Sequence, residues 1–400
     1  MAQDVSSYVP QVLAMGLDAL RNNLPILRYI NTSFQEATDF ANQGGDTIDV
    51  PIPSDVAAND VTPASYAPAT QELGTGKAQI PVNFWKEVPW RVTDRELAKL
   101  AAGFMPTQLS ECIATLSREF AMHLMKAYVH SYGTIGGSTN IAFHDGANTL
   151  AAQGRARLTK QLAPAVNRFA IVSPDVTVNM AGVSTFSQAN TSGDPEVVAR
   201  GAILRGHGFF WEEDQRMPIH ETGTAGGTGA DTVVNGAHLV GVSSINATVG
   251  ATNAMDLKVG DVITFAGHSQ QYVLTAAAAA SATAAATLAI APKLKVALAG
   301  AEAITCFSDG TDYEVNIMAH RDAFAAAFIR TDMNTLLSKF GITSTSVGVD
   351  ETLVDLETGL ALRFILKPEH YQVRTALSIL AGTGMPRPAL ACRLASKVVA

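Results

Sequence analysis

The sequence predicts an α+β fold carrying an inserted small β-barrel, and three observations lead there. A long one-striped helix occupies 106–131, Val/Ile-rich strands alternate with shorter helices on both sides of it, and a weakly charged middle segment is built of short β runs. The 400 residues contain 28 Lys+Arg against 36 Asp+Glu, a net charge of −8, with 47% hydrophobic and 16% charged types. Such a chain buries a large core and is not disordered. Its length fits two or three structural units, or one with a large insertion. The acidity argues against a surface that clasps nucleic acid throughout, because neutralising phosphate needs an excess of Lys and Arg.

The first forty residues read as an arm. Pro10 suits a first helical turn, Val12, Met15 and Leu20 share roughly one face, and Asn22-Asn23-Leu24-Pro25 breaks the helix. Thr47–Ile52 then alternates as a strand entered through Gly44-Gly45-Asp46. A matching strand places Ile80, Val82 and Phe84 on one face. The connection between them is rich in Ala, Pro, Thr and Gly and far longer than the ~12–15 residues usual in a compact domain. A two-stranded flap is marginal alone in water, so it is expected to lean on a neighbouring subunit.

Thr93-Asp94-Arg95-Glu96 spells a capping box for a short helix through Leu97 and Leu100 that ends near Gly103. Pro106 opens the long helix. Leu109, Ile113, Leu116, Phe120, Leu124 and Ala127 follow spacings of 4, 3, 4, 4 and 3, one apolar stripe. At 1.5 Å per residue the helix would extend ~39 Å, a spine on which a sheet can be laid. A second helix runs from Asn148-Thr149 past Leu150, Leu158 and Leu162 to Pro164, and Phe169–Val172 is a strand. Ser173-Pro174-Asp175 then starts a helix with Ser as cap, Pro in the first turn and an acid at the positive end of the dipole.

From Gly223 to Thr311 only eight residues in 89 are charged. Leu239-Val240, Asp261–Phe265 and Tyr272–Leu274 alternate with Gly and Asn, the pattern of a small β-barrel or meander. Propensity favours helix in the alanine tract at 276–287, but Thr283 and Thr287 lead into the strand-like Leu288-Ala289-Ile290, so a loop between strands is expected there. Tyr313–Ile317 and Ala323–Ala325 resume the α+β style. Leu362–Leu366 and Gln372–Arg374 read as late strands, and the hydrophobic tail after Pro386 and Pro388 packs back. Residues 276–291 form sixteen residues without a charge, short of the ~20 needed to span a bilayer, so a soluble chain is expected. Met1-Ala2-Gln3-Asp4 lacks the basic region and apolar stretch of a signal peptide.

No enzyme emerges, and no catalytic, cofactor-binding or metal-ligating residue is assigned. Cys112, Cys306 and Cys392 are odd in number and far apart, against both a disulfide framework and a thiolate zinc site. His320-Arg321-Asp322 resembles the start of a kinase catalytic loop, but position 327 is Ala where a metal-binding Asn belongs. Gly74-Thr75-Gly76-Lys77 hints at a phosphate loop, but Gln71 and Ala78 break the pattern. Gly182-Val183-Ser184 lacks the second glycine of a nucleophile elbow, having Phe186 there. His123 and His130 can share a helix face, yet no acid stands at ligand spacing. Phe84-Trp85-Lys86 and Phe209-Phe210-Trp211 mix aromatics with charge, but the acids that follow (Glu87; Glu212, Glu213, Asp214) would repel phosphate, leaving them as core or interface anchors.

Taken in order, several strings resemble the major coat proteins of tailed bacteriophages with the Hong Kong ninety-seven-type capsid fold. They are Tyr8-Val9-Pro10 with Asp18–Asn23, Gly45–Pro51, Val92–Leu97, Arg168–Pro174, Gly206–Phe209 and His320–Phe324. Lys258–Gly267 is the most specific and looks like the inserted β domain of the branch typified by the Salmonella phage P-twenty-two coat protein. The resemblance implies an N-terminal arm (1–45), an extended loop (46–92), and a peripheral domain (93–174) with spine helix 106–131. It implies an axial domain in two parts (175–222 and 312–400, the latter returning to the peripheral domain) around an inserted domain (223–311). The implied function is the icosahedral head of a tailed double-stranded DNA bacteriophage, built in the host bacterial cytoplasm from hexamers and pentamers of this chain. Scaffolding and portal proteins are implied partners, with a decoration protein a further option; DNA is enclosed without sequence-specific binding, and no cofactor or membrane is involved. Departures are a short insert and its alanine tract, and no motif marks a reactive Lys–Asn cross-link. Two alternatives stand beside this reading: an encapsulin-like compartment shell of the same fold, and a secreted β-rich adhesin.

Overall fold

The computed structural model describes residues 14, 16–20, 24–32, 47–53, 58, 60, 75–93, 95, 104–146, 149–188, 205–226, 232–251, 254–329, 349–355 and 358–399. The expected arm residues Pro10, Val12 and Met15, the helix at 97–100 and Asp94 and Glu96 of the capping box lie outside them; Thr93 is the last residue of a strand. In chain order come β1 (Thr47–Pro53), β2 (Thr75–Pro81), β3 (Phe84–Thr93), helix α1 (Phe104–Met125), β4 (Thr134–Gly136), α2 (Thr149–Lys160), β5 (Arg168–Val172) and α3 (Pro174–Ala181). Next are β6 (Arg205–Gly206), β7 (Phe209–Glu213), β8 (Ile219–His220), β9 (Val233–Val234), β10 (Ser244–Thr248), β11 (Met255–Leu257), β12 (Val262–Phe265) and β13 (Gln271–Leu274). The series ends with β14 (Ala278–Ala280), β15 (Ala285–Ala291), β16 (Ile304–Cys306), β17 (Tyr313–His320), β18 (Ala325–Phe328), β19 (Val349–Val354), β20 (Ala361–Glu369), β21 (Gln372–Gly384) and β22 (Ala391–Lys397). No helix among the described residues is long and apolar enough to cross a membrane.

The apolar stripe makes α1 the spine. Ile113, Leu116, Phe120 and Leu124 are buried in the main core, where Phe120 meets Phe84 edge-on (5.3 Å) and Phe328 (5.2 Å). The helix tightens into a 3₁₀ turn at Lys126–His130, which leaves Ala127 half-buried and turns Tyr128 inward. Against this spine lies a sheet in the order β18-β21-β20-β19, with β3 also paired to β21. Residues 84–93, expected as part of the flap, belong to that sheet. The flap proper is β1 paired antiparallel with β2, and the chain breaks at 82–83 before β3 takes up a register from Phe84↔Ala381 to Thr93↔Gln372.

The second sheet runs β4-β22-β17-β5-β7-β6, with β8 on β17. β5 is buried throughout, which explains its run Phe169–Val172, and β22 is buried in all but its last residue although it carries Arg393 and Ser396. The tail after Pro388 thus becomes a central strand rather than a surface flourish. Ser173 stands at the start of α3 as expected, but its hydroxyl donates to Glu314 Oε2 (2.7 Å) instead of capping the helix. Its own amide donates to Asn316 Oδ1 (2.7 Å), so the residue stitches α3 to β17.

Residues 223–311 hold their own core, including Ile245, Leu257, Phe265, Tyr272 and Leu288. The β character is as expected, but a closed barrel is not: the ladder β16-β12-β13-β15-β10-β9 is open. Its two ends meet outside that ladder, at the isolated bridge Val233↔Ala303 and through backbone bonds from Val234 N to Glu302 O, Ala301 N to Val234 O and Ile304 N to Thr232 O (2.9 Å each). Leu239 and Val240 are not a strand but an exposed turn. The alanine tract, expected as a loop, forms β14 and the start of β15, with a short turn at Thr283 between them. Packing overrides propensity here: β14 pairs with β11 and buries Ala278 beside Met255 and Leu257.

Removing the side chain at the centre of the spine should be felt throughout the main core. Phe120→Ala is expected to destabilise the subunit by about 3–5 kcal/mol, read from the midpoint of denaturant unfolding.

Candidate functional site

Two places gather functional groups: a buried polar joint between insert and body, and the base of the flap. The joint is made by the segment that the sequence marks as most specific. At Lys258-Val259-Gly260-Asp261 the chain turns through Gly260 at φ +91°, where an added Cβ would lie 3.1 Å from Val129 Cβ. The turn buries Asp261 completely. Its carboxylate accepts from Lys258 N (2.7 Å), Gly223 N (3.2 Å) and His220 Nε2 (2.9 Å). On the other ring nitrogen, Tyr128 hydroxyl meets His220 Nδ1 at 2.9 Å. Burial pushes the Tyr128 hydroxyl up to about 12, so it stays protonated and donates.

Beside this chain lies Arg393 of β22, fully buried. Its guanidinium donates to Gly260 O (2.6 Å), Val129 O (3.0 Å), Ser131 Oγ (2.8 Å) and the Tyr313 hydroxyl (3.2 Å), and it lies over the Tyr128 ring at 5.1 Å. Tyr, His and Asp in series are groups an enzyme could use for proton transfer, but here His220 and Asp261 are out of reach of any solute. The arrangement fixes the insert on the body. Sequence reasoning passed over His220, Tyr128 and Arg393; only Asp261 stood in a string that drew attention.

At the flap, β1 and β2 are tied by Lys77 Nζ–Asp49 Oδ2 (3.0 Å) and by Gln79 to Asp49 (3.2 Å). Val50 and Ile80 are buried against Ala325. Gly382 makes room for this seat: an added Cβ would stand 3.0 Å from Pro81 O and 3.2 Å from Ile80 Cγ2. Lys77 is therefore a strand residue with an ion-pair partner, not part of a phosphate loop. A cleft of about 470 Å³ opens where flap, spine, insert and body meet, lined by Gln79, Asn83, His123, Lys126, His130 and Thr275 among others. His123 and His130 do come together at this cleft, with His123 Nε2 2.9 Å from Asn83 Oδ1. No acid lines it, and among the described residues no cluster of three metal-ligating side chains occurs.

The remaining sequence candidates serve the fold. His320-Arg321-Asp322 is a tight turn in which Asp322 N donates to His320 Nδ1 (3.2 Å) and Asn31 holds the Asp322 carboxylate (3.1 Å). Gly182 ends α3, ahead of Ser184. Phe84, Phe209 and Trp211 are core residues, Phe210 lies half-exposed under Arg205 (5.2 Å), and Trp85 is 72% exposed. Lys86 reaches Glu119 on the spine (2.7 Å).

No protein-family model matches the sequence, and no curated protein matches it. Solved structures contain chains similar to this one. The structure described as "Mycobacterium phage Che8" is 12% identical at a TM-score of 0.49, covering 92% of this chain and 89% of that one. "Asymmetric unit of bacteriophage PhiM1 mature capsid" is 10% identical at 0.46, covering 92% and 88%. "Crystal structure of virus-like particle from Pyrococcus furiosus" is 9% identical at 0.43, covering 97% and 99%.

Two outcomes follow from this geometry. Asp261→Ala leaves the His220 ring and two amides without their acceptor, and should cost about 3–5 kcal/mol. Hydrogen exchange in 223–311 should rise with it; unchanged protection there would contradict a joint role. The second concerns pH. Burial lowers His123 and His130 below the ordinary 6.5, with Lys126 adding to the effect at His123 and Arg393 at His130. The unfolded chain then binds more protons, so stability is full above 6.5 and falls as pH drops through the folded values. Glu314, raised by burial, has the opposite sign. A His123→Gln/His130→Gln variant should therefore lose less stability than the parent between pH 7 and about 5.5, measured by denaturant midpoints.

Proposed function

We propose that this chain is the major capsid protein of a tailed double-stranded DNA bacteriophage, tiling with copies of itself into the icosahedral head. The observation that supports it most is the flap. β1 and β2 form a sheet of their own, and of their described side chains only Val50 and Ile80 are buried. Two strands with one buried corner are marginal alone, and a surface on an adjacent subunit completes them. The spine helix and the rigidly seated insert complement this, giving each copy a fixed shape to pass to the next.

In this reading 46–81 is the extended loop, 93–174 the peripheral domain, 175–222 and 312–400 the axial domain, and 223–311 an inserted small β domain like that of the branch typified by the P-twenty-two coat protein. Head-to-tail contacts closing into rings of five and six suit a heterologous interface. Many modest contacts summed over a closed shell give lasting stability without one tight pair. A net charge of −8 suits a lining that does not grip packaged DNA. Scaffolding and portal proteins are the partners such assembly needs, no catalytic role is assigned, and the site of action is the virion, formed in the host cytoplasm.

Electron microscopy of the purified protein, expressed with and without neighbouring viral genes, tests this directly. Uniform shells are expected; discrete protomers under every condition would overturn it, and cages filled with enzyme would favour a cellular compartment. A finer test uses the flap. Pro53 and Thr75 are register partners, so a short Gly/Ser turn can replace 54–74 without moving the strands. That variant is expected to keep the parent's circular dichroism and melting while forming no shells.

A further inference from the structure

Three cations stand side by side at the far end of the sheet that carries β3. Strand register sets Arg91 of β3 opposite Arg374 of β21, and Arg374 opposite Lys367 of β20. Residues directly opposite in antiparallel strands share a face and lie ~5 Å apart, where like charges repel and cost stability. All three side chains are exposed. Compensation is thin. Glu87 Oε1 comes within 3.9 Å of Arg374 Nη2, with both side chains about half exposed. Glu369, at the end of β20, accepts from Gln372 Nε2 at 2.7 Å. Among the described residues Arg91 and Lys367 have no ion pair. Just past the row, the β20–β21 hairpin turns through His370 and Tyr371, rings 4.2 Å apart, with Tyr371 72% exposed.

A folded subunit gains little from this row by itself, since the residues directly opposite one another in it are like charges and only the exposed Glu87–Arg374 contact offsets them. The molecule around it is acidic, with 36 Asp+Glu against 28 Lys+Arg. Two cations without an ion pair among the described residues, and a third with only the 3.9 Å contact to Glu87, are on such a surface complementary to the average surface of another copy, whereas the same net charge repels a polyanion such as DNA. We infer that the Arg91–Arg374–Lys367 row, capped by Tyr371, is a contact surface that docks an acidic patch on a second copy of this chain. The inference rests on the shell reading and names one of its interfaces. Ion pairs formed there replace repulsion within the sheet by attraction between copies, so the row weakens the free subunit and strengthens the assembly.

That opposition gives the test its sign. In Arg91→Gln/Lys367→Gln/Arg374→Gln, the free subunit should melt at the parent's temperature or above it, while assembly followed by light scattering and sedimentation falls at least about tenfold. The parent's assembly through this contact should weaken between low salt and about 0.5 M, and the variant's residual assembly should respond less. Arg91→Lys/Arg374→Lys keeps the charge and should assemble. Equal assembly by the parent and the triple Gln variant would overturn the inference while leaving the shell reading intact; a parent that never associates would overturn both. A lower melting temperature for the triple Gln variant would make the row part of the fold instead. Fluorescence anisotropy with a labelled DNA duplex covers the remaining case: binding by the parent that the triple Gln variant loses, with assembly unchanged, would replace the second copy by nucleic acid.

Discussion

The buried guanidinium of Arg393 constrains everything around it. Taking an ion out of water costs several kcal/mol unless its donors are met and its charge is balanced nearby. Here the donors are met by a carbonyl from the insert (Gly260), a carbonyl from the turn after the spine (Val129), and hydroxyls from Ser131 and Tyr313. Asp261, next to Gly260 in the chain, is held in turn by His220. Swinging the insert away would strip the Gly260 carbonyl from Arg393 and the Asp261 carboxylate from His220 together. The insert, the turn after the spine and the central sheet are thereby tied together at one buried point.

That tie sharpens the contrast with the flap. β1 and β2 are anchored at Val50, Ile80 and Ala325, a corner of three buried residues beside a main core of several dozen. In the shell proposed above, the body would define the tile and the ribbon would overlap the next one, so that copies in contact supply the burial the ribbon lacks alone.

Much of this was legible in the sequence because local periodicity carries it. The 3.6-residue stripe of α1 and the alternation or apolar runs of β1, β5, β12, β13 and β17 need no distant partner to be recognised. What was not legible depends on pairings across the chain. Phe84–Val92 reads as the same alternating strand whether it continues the flap or joins β21, and only a partner about 290 residues later decides. The alanine tract became strand because Met255 and Leu257 offered it an edge. Ser173 has every local mark of a cap, yet Glu314 takes its hydroxyl. The joint is the extreme case: Tyr128, His220, Asp261 and Arg393 are separated along the chain by 92, 41 and 132 positions, and none is unusual in its own neighbourhood.

The account turns on where the flap finds its missing surface. Particles assembled from a mixture of normal and isotopically heavy subunits, treated with an amine cross-linker and read by mass spectrometry, test that at Lys77, which is well exposed on β2. Cross-links from Lys77 that join a light to a heavy peptide are the expected result. Lys77 linked only within its own subunit, in particles that are otherwise intact, would contradict it.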